Sequence, residues 1–559
     1  MILAKERKLN PDKVLSDLAA KNDLIKLFHE DLCDSVQSVG PGFLNFRLKR
    51  SAIESAISEA LTSAVRDEPF FFQKTDKPRT IVVDFSSPNV AKPMHVGHIR
   101  STILGDSLAR IFRLLGHRVI TDNHIGDWGT QFGKLLVGWK NHLNRAALEA
   151  DPIGEMERLY KLINAASESD PTVLENARAE LVKLQSGDEE NLKIWREMIA
   201  LSEKQFERVY NRLGVKFDHT FGESFYNSRL KNVVQELCDK DIARESDGAI
   251  CVFSDGTIPP KQDPFLKQEE GEWKPNPCLI QKSDGAANYA TTDLATLAYR
   301  LETWHPNEII YVTDGRQQLH FNQIFATFRR WHSEAKTKLA HVWFGSILGD
   351  DGKPFKTRSG DTIKLEDLLD EAEERAFKVV SEKNLEMPEN ERKEIARVVG
   401  LGAIKYADLS QNRQSDIVFN WDKMLSLQGN TAPYLQYAYT RVRSIFRKAE
   451  GTSNSENQTF NIQHSTFNIE LTAAEEIALA KHLLNFGLVL EAAADDYRPN
   501  YLCSYLYELA GHFARFYENC PVLKAEGAQR ATRLELCNLT ARVLKQGLDV
   551  LGIETTEQM

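Results

Sequence analysis

The chain has 559 residues, with 80 acidic against 70 basic side chains, a net charge of −10 and a pI near 5.9, which excludes a protein that coats nucleic acid indiscriminately. Its 42% hydrophobic and 27% charged content is that of a globular protein of roughly three or four domains, and excludes a disordered or fibrous chain. Seven scattered cysteines without a C-x-x-C pair exclude a disulfide framework or zinc site, and no secretory leader or apolar window of about 18 residues is present, so a cytoplasmic protein without a membrane partner is expected.

Residues 1–75 read as a small separate unit. A polar helical pattern through Val14–Ala20 precedes a Gly40-Pro41-Gly42 turn, and Phe43–Leu48 alternates at strand period. From Arg79 strand and helix alternate as in βαβ units, with strands predicted at Ile81–Asp84, Arg118–Thr121, Glu308–Val312 and His341–Phe344. An insertion spans about 140–280. Its first part, Leu174–Leu213, is charged and helical, with Leu181, Leu184, Leu192, Trp195 and Ile199 on a broken apolar face. Its second, Gly248–Gly271, reads as short strands and turns. Domains are therefore expected at 1–75, 76–370, 371–425 (a helical connector) and 426–559 (a helical bundle interrupted by a polar loop, Gly451–Gln458).

The most informative stretch follows Ile81-Val82-Val83. Asp84-Phe-Ser-Ser-Pro-Asn-Val-Ala-Lys-Pro-Met-His95-Val-Gly97-His98 runs into a helical pattern from Ile99, which places both histidines at a helix N-terminus. Free N–H groups and the positive end of the dipole make such a place an anion site, and two imidazoles add donors for phosphate oxygens. Taken alone, H-x-G-H supports an incidental turn or, at most, a nucleotidylyl transferase.

The longer phrase Ser86–Thr102, SSPNVAKPMHVGHIRST, resembles the class I arginyl-tRNA synthetases. Further blocks match that family in order. They are Gly126–Phe132 (GDWGTQF), Tyr289-Ala-Thr-Thr-Asp293, Asp314-Gly-Arg-Gln317 ahead of Leu319-His320, Lys353-Pro-Phe-Lys356-Thr-Arg-Ser-Gly360 in place of KMSKS, and Gly429–Ile445. The resemblance implies a doubly wound parallel Rossmann-type α/β catalytic domain with insertions, a shortened N-terminal α+β domain of the tRNA-binding type, and a C-terminal all-helical anticodon-binding bundle. It implies a ligase that activates L-arginine with ATP and passes it to the 3′ end of tRNA(Arg), as a cytoplasmic monomer that needs bound tRNA for activation.

The same resemblance assigns residues. His95, His98, Lys92, Lys353 and Lys356 are the expected catalytic cations and donors, with His95, Gly97, His98 and Lys356 on ATP. Arginine is expected at Asp84, Ser87, Pro88, Asn89, His98, Tyr289, Asp293 and Gln317; a guanidinium needs carboxylate acceptors, and Tyr289 and Asp293 at i, i+4 share a helix face. Mg²⁺ is expected with ATP, held by the phosphates, with no dedicated protein metal site. Tyr434, Tyr437, Arg441 and Arg443 interleave aromatic and basic groups suited to unpaired bases and phosphates, although such tyrosines also serve as helix packing. A class I synthetase for another amino acid and a non-catalytic RNA-binding relative are the alternatives. Asp84, Tyr289 and Asp293 argue against the first, and the intact His95, His98 and Lys356 against the second.

Overall fold

The computed structural model describes residues 32–39, 43–349, 352, 353, 355, 363–383, 385–451 and 467–559. The expected helix at Val14–Ala20, the Gly40–Gly42 turn, Lys356 and all but the first residue of the Gly451–Gln458 loop lie outside them. Strand β2 (Phe43–Leu48) occurs as its alternation predicts and pairs antiparallel with β1 (Cys33–Val39). The sequence CDSVQSV of β1 places no clean apolar set on either face, so periodicity does not reveal it. Helix α1 (Arg50–Val65) follows.

The catalytic core is built on β3 (Thr80–Phe85), α2 (Val96–Leu114) and β4 (Arg118–Asp122). An insertion of five helices follows, α3 (Thr130–His142), α4 (Arg145–Ala150), α5 (Pro152–Ser169), α6 (Pro171–Gln185) and α7 (Glu189–Leu213). Then come α8 (Leu230–Asp239), β5 (Ala243–Ser246), β6 (Ala249–Val252), the hairpin β7 (Leu266–Glu269) with β8 (Glu272–Pro275), and β9 (Cys278–Gln281). Helix α9 (Tyr289–Trp304), β10 (Glu308–Val312), α10 (Gln318–Trp331) and β11 (Lys338–His341) complete a four-stranded sheet of order β11-β10-β3-β4, parallel throughout.

Alternation decides which helix covers which face. Ile81, Val83, Phe85, Ile310 and Val312 belong to one apolar core with α2. Val82, Ile120, Ile309 and Tyr311 belong to a second with Leu294 and Leu297 of α9 and Ile324 and Phe328 of α10. The sheet is doubly wound, as expected. The expected strand His341–Phe344 is corrected. Pairing runs Lys338–His341, three residues earlier, and the apolar Val342 and Phe344 that suggested a strand are buried in the segment leaving the sheet. In the insertion, Leu184 is buried and Leu192, Trp195 and Ile199 pack on the core, while β5, β6 and β9 form a small antiparallel sheet.

After β12 (Ile347–Leu348), helices α11 (Leu365–Lys383) and α12 (Glu389–Leu409) lead to β13 (Ile417–Val418) and α13 (Trp421–Met424). The C-terminal bundle comprises α14 (Ala432–Gly451), α15 (Ala474–Leu483), α16 (Phe486–Asp495), α17 (Asn500–Asn519) and α18 (Gly527–Val550). The apolar stretch Ala474–Asp495 is long enough to cross a membrane, but it is divided into α15 and α16, and Leu479, Leu483, Phe486 and Leu490 are wholly buried in the bundle. The bundle shares an apolar core with α2, and polar groups of α2 and α12 meet the bundle and the end of the insertion beside it. Lys405 donates to the carbonyls of Leu213 (2.5 Å) and Gly552, while Arg110 binds Asp106 (2.7 Å), Gly214 O (2.6 Å) and Asp549 O (3.3 Å). Burial pushes the Lys405 ammonium down to about 8, against the pull of Asp106.

Helix α2 lies on β3 with no room to spare. A Cβ at Gly105 would sit 2.2 Å from the Phe85 ring, itself wholly buried. Gly105→Ala gains up to about 1 kcal/mol of helix propensity but overpacks the contact by about 1–3 kcal/mol or more. A net loss of stability is expected in urea melts. Gly511→Ala in α17, where the nearest neighbouring atom is 3.8 Å away, should be neutral or stabilising. A gain at Gly105 would refute the close helix–sheet contact.

Candidate active site

The chain leaves β3 through three non-glycine residues in the left-handed region, Ser86 (φ 74°), Ser87 (φ 47°) and Ala91 (φ 61°). Each is held from outside. The Ser86 N–H donates to Ser101 Oγ (2.8 Å) and its hydroxyl pairs with Tyr210 OH (2.8 Å). The Ser87 N–H donates to Asn123 Oδ1 (3.0 Å), and that of Ala91 to Ser202 Oγ (3.0 Å). Gly126 donates to Pro88 O and accepts from Val90 N–H, both at 3.0 Å; a Cβ there would meet Asn89 Oδ1 at 2.4 Å, which explains the glycine opening GDWG. Pro88 is buried, and Asn89 and Gly97 are exposed.

His95 and His98 meet at the start of α2 with ring centroids 4.0 Å apart. His95 Nδ1 accepts from Gly97 N–H and His98 Nδ1 from His95 N–H, each at 3.0 Å. Both neutral rings therefore carry their proton on Nε2, free to donate beyond the backbone. Burial drives the His98 pKa down to about 3, and burial followed by the nearby Arg316 and Lys92 lowers that of His95. These are neutral donors at physiological pH. A Cβ on Gly97 would stand 2.8 Å from His95 Cε1, so glycine lets the ring fold over its own backbone. Lys92 lies over the Tyr160 ring at 5.2 Å. The Lys353 carbonyl accepts from Gly349 N–H. The chain then returns beside the histidines, where Val96 N–H donates to Ile363 O and Lys364 bridges to His95.

A carboxylate wall forms the other side. Asp293, in the first turns of α9, lies 2.6 Å from His320 Nε2, and the Tyr289 ring is 4.8 Å from the His320 ring. His320 reaches this position because α10 follows the short turn Gly315–Gln317, which presents Arg316 toward His95 and leaves Gln317 exposed. Glu223 joins the wall. Burial, reinforced by Asp293 and Asp127, pushes its carboxyl up to about 7, although His124 pulls the other way. Asp127 fixes the turn bearing Glu223 by accepting from Ser224 N–H (2.8 Å) and Oγ (2.5 Å).

Glu223, His320 and Arg316 were not among the expected site residues. Only Arg316 and His320 fall within a matched block, and Glu223 follows an insertion with no local pattern to single it out. Asp84 departs from expectation. Its Oδ2 receives Arg300 Nη2 at 2.5 Å, its Oδ1 receives the Ser87 hydroxyl at 3.2 Å, and Arg300 also binds Asp122 at 2.7 Å. The chain's own guanidinium, wholly buried under the sheet, takes the place foreseen there for a substrate.

On the bundle, Tyr434 and Tyr437 share a face of α14 with Arg441, completed from α17 by Tyr507 (5.6 Å from Tyr434) and by Tyr517 beneath Arg441 (4.9 Å). Arg443 departs from that set. It binds Glu557 at 2.8 Å, and Tyr439 OH binds the same carboxylate at 2.7 Å, so both anchor the last residues of the chain.

The depressed His98 pKa has a thermodynamic signature. Between the usual value of 6.5 and about 3 the unfolded chain holds a proton that folded His98 refuses, so stability is full above 6.5 and falls as pH drops below it. His98→Asn, which retains an acceptor for His95 N–H, removes this dependence. From pH 6.5, where the unfolded imidazole is half protonated, to pH 5.5 the native chain should lose about 1 kcal/mol relative to the variant in urea titrations. Parallel pH profiles would rule out the buried neutral ring.

Family models match along most of the chain. Residues 57–421 match the class I (R) tRNA synthetase catalytic domain, and residues 435–559 match the DALR anticodon binding domain. A curated arginine–tRNA ligase from Fusobacterium nucleatum is 44% identical over 554 residues, covering 98% of this chain and 90% of the relative. The crystal structure of arginyl-tRNA synthetase from Plasmodium falciparum is similar with a TM-score of 0.77 at 31% identity, over 96% of this chain and 88% of that one. The Thermus thermophilus arginyl-tRNA synthetase structure gives 0.80 at 25% identity, over 100% and 93%. With its parallel doubly wound core, its paired histidines at the start of α2 and its helical C-terminal bundle, the chain belongs to the class I arginyl-tRNA synthetases.

Proposed function

We propose that the chain is an arginine–tRNA ligase that works through the residues gathered around the start of α2. The arginine carboxylate attacks the α-phosphorus of MgATP, the bond to the pyrophosphate oxygen breaks, and arginyl-adenylate and pyrophosphate result. A hydroxyl of the terminal ribose of tRNA(Arg) then attacks the adenylate carbonyl and AMP leaves. In-line transfer of this kind rests on positioning and charge stabilisation. The Nε2–H groups of His95 and His98, with the positive end of α2, donate to phosphate oxygens, and Lys92, Lys353 and Lys356 add cationic charge. Mg²⁺ arrives with ATP, held by its phosphates.

The observation that carries the reading is the pair of carboxyl groups Asp293 and Glu223 at a site whose other side offers, among the described residues, the neutral imidazoles of His95 and His98 beside the cations Lys92 and Arg316. Asp293, oriented by His320, and Glu223, which sheds its proton as a cation arrives, receive the guanidinium, with Tyr289 and Gln317 at the rim. Ser87, Pro88 and Asn89 shape the end that holds the α-amino and carboxylate groups. Asp84 acts from beneath by fixing Ser87. The enzyme is read as a cytoplasmic monomer without membrane contact, and six of its seven unpaired cysteines are buried, which suits a reducing compartment.

ATP–pyrophosphate exchange over all amino acids with total tRNA should respond to arginine alone. Asp293→Asn should raise the KM for arginine by about 10- to 100-fold, the equivalent of losing about 1.5–3 kcal/mol from a charge-assisted hydrogen bond, and leave that for ATP nearly unchanged. Equal increases in both would make Asp293 structural.

The bundle gives a paired test. Arg441→Ala should weaken tRNA binding and flatten its salt dependence by up to about 0.7–0.9 for each phosphate it no longer neutralises, with an unchanged melt. Arg443→Ala should lower the melting temperature through the freed Glu557 and leave the salt slope alone. The reverse pattern would exchange their roles.

A further inference from the structure

We infer that Asp127 is a positioning residue for arginine recognition, holding Glu223 in the carboxylate wall through a two-point clasp on Ser224. Asp127 is 5% exposed, and both oxygens of its carboxylate are taken by the residue that follows Glu223. Oδ1 accepts from Ser224 N–H (2.8 Å) and Oδ2 from the Ser224 hydroxyl (2.5 Å). On the other side of Glu223, Gly222 lies against the same group. A Cβ there would meet Asp127 Cγ and Oδ2 at 2.4 Å and Oδ1 at 2.5 Å. One carboxylate therefore grips both neighbours of Glu223, and only glycine at 222 lets it come so close.

The main chain repeats the grip. Ile125 O accepts from Asp127 N–H (3.0 Å) and from Glu223 N–H (3.1 Å), so one carbonyl ties the two turns together. Asp127 O in turn accepts from Trp195 Nε1 (2.9 Å), and the Trp195 ring meets that of Trp128 edge-on, with centroids 5.7 Å apart. Trp195 belongs to α7, so the insertion steadies the same turn. Asp127 also acts by charge. Together with Asp293 it opposes ionisation of Glu223, which burial already disfavours. The turn thus offers a carboxyl whose charged form gains most when a cation arrives. Alanine at 127 keeps neither half of the clasp. Asparagine keeps both, since its amide can accept from Ser224 N–H and donate to the hydroxyl.

The inference rests on Glu223 receiving the guanidinium, and a double-mutant cycle separates the two claims. Asp127→Ala, Asp127→Asn, Glu223→Gln and the Asp127→Ala/Glu223→Gln pair are assayed for ATP–pyrophosphate exchange at saturating tRNA, with a melt of each full chain. Asp127→Ala should raise the KM for arginine about 10-fold, the scale of one hydrogen bond to a charged group, with kcat and the KM for ATP within about twofold. Asp127→Asn should recover most of the loss. Glu223→Gln should raise the same KM, and in its background Asp127→Ala should cost little more, because the carboxylate it holds is gone. A native arginine KM in Asp127→Ala beside a raised one in Glu223→Gln overturns the positioning role and leaves Glu223 at the guanidinium. A native arginine KM in Glu223→Gln overturns both claims. Full multiplication of the two losses, or an asparagine variant as impaired as the alanine one, overturns the clasp. A parallel rise in the KM for ATP overturns the proposal in favour of general damage. Should Asp127→Ala not fold, Ser224→Ala removes the hydroxyl half of the clasp in its place and the same outcomes decide.

Discussion

Everything at the site depends on a turn the chain would not adopt unaided. Ser86, Ser87 and Ala91 hold positive φ without being glycine, a conformation that costs about 1–3 kcal/mol per residue and persists only where the surroundings over-determine it. The surroundings do so from three directions, with Ser101 and Thr102 on α2, Asn123 after β4, and Tyr210 and Ser202 on α7. Two of these groups belong to the insertion, so α7 is part of the frame of the site. The sharp turn aims Asn89 into solvent and delivers His95 to the start of α2 in an extended conformation, where its ring caps the helix.

Charge is arranged in layers. Under the sheet, Arg300 binds Asp84 and Asp122, and its face lies over the Tyr311 ring at 5.3 Å. A carboxylate buried without such a partner would be protonated or expelled, and burial does raise the Asp84 pKa against the pull of Arg300. Above, Asp293 and Glu223 face the opening, and the histidines opposite are kept neutral by burial. On the proposed reading, the guanidinium of the substrate meets carboxylates and its phosphate-bound end meets N–H donors and cations, two different electrostatic environments within one site. Removing Arg300 from this arrangement would leave Asp84 and Asp122 uncompensated directly beneath the turn.

The parts legible in the sequence are those written in local spacing. β3, β4 and β10 lie where short β-branched runs place them, to within a residue, and Tyr289 and Asp293 share a helix with the predicted spacing. The displaced β11 shows the limit of such reading, because Val342 and Phe344 are apolar through burial in a connection and not through pairing. The rest was illegible because it is long-range. Asp84 finds Arg300 across 216 residues, and Arg100 finds its acceptors 245 to 315 residues away. Glu223 enters the wall only because Asp127 and Gly222 fold its turn there, and nothing near it in sequence announces that.

Helix α2 is where these constraints meet. Its first turn carries the histidines, Ser101 and Thr102 brace the turn, Gly105 lies on the Phe85 ring, and Arg110, held by Asp106, reaches Asp549 O of the bundle. At about 1.5 Å per residue, its 19 residues form a strut of about 28 Å running from the chemistry to the docking surface of the C-terminal bundle. A helix gripped along its length cannot shift at one end alone, because each grip is a packed or hydrogen-bonded contact with little slack. The fixed charges at Lys405, Asp106 and Arg110 consequently set more than the attachment of the bundle. They fix the axis on which His95 and His98 are mounted, Asp106 and Arg110 from farther along the helix and Lys405 from α12, and so belong to the geometry of the site.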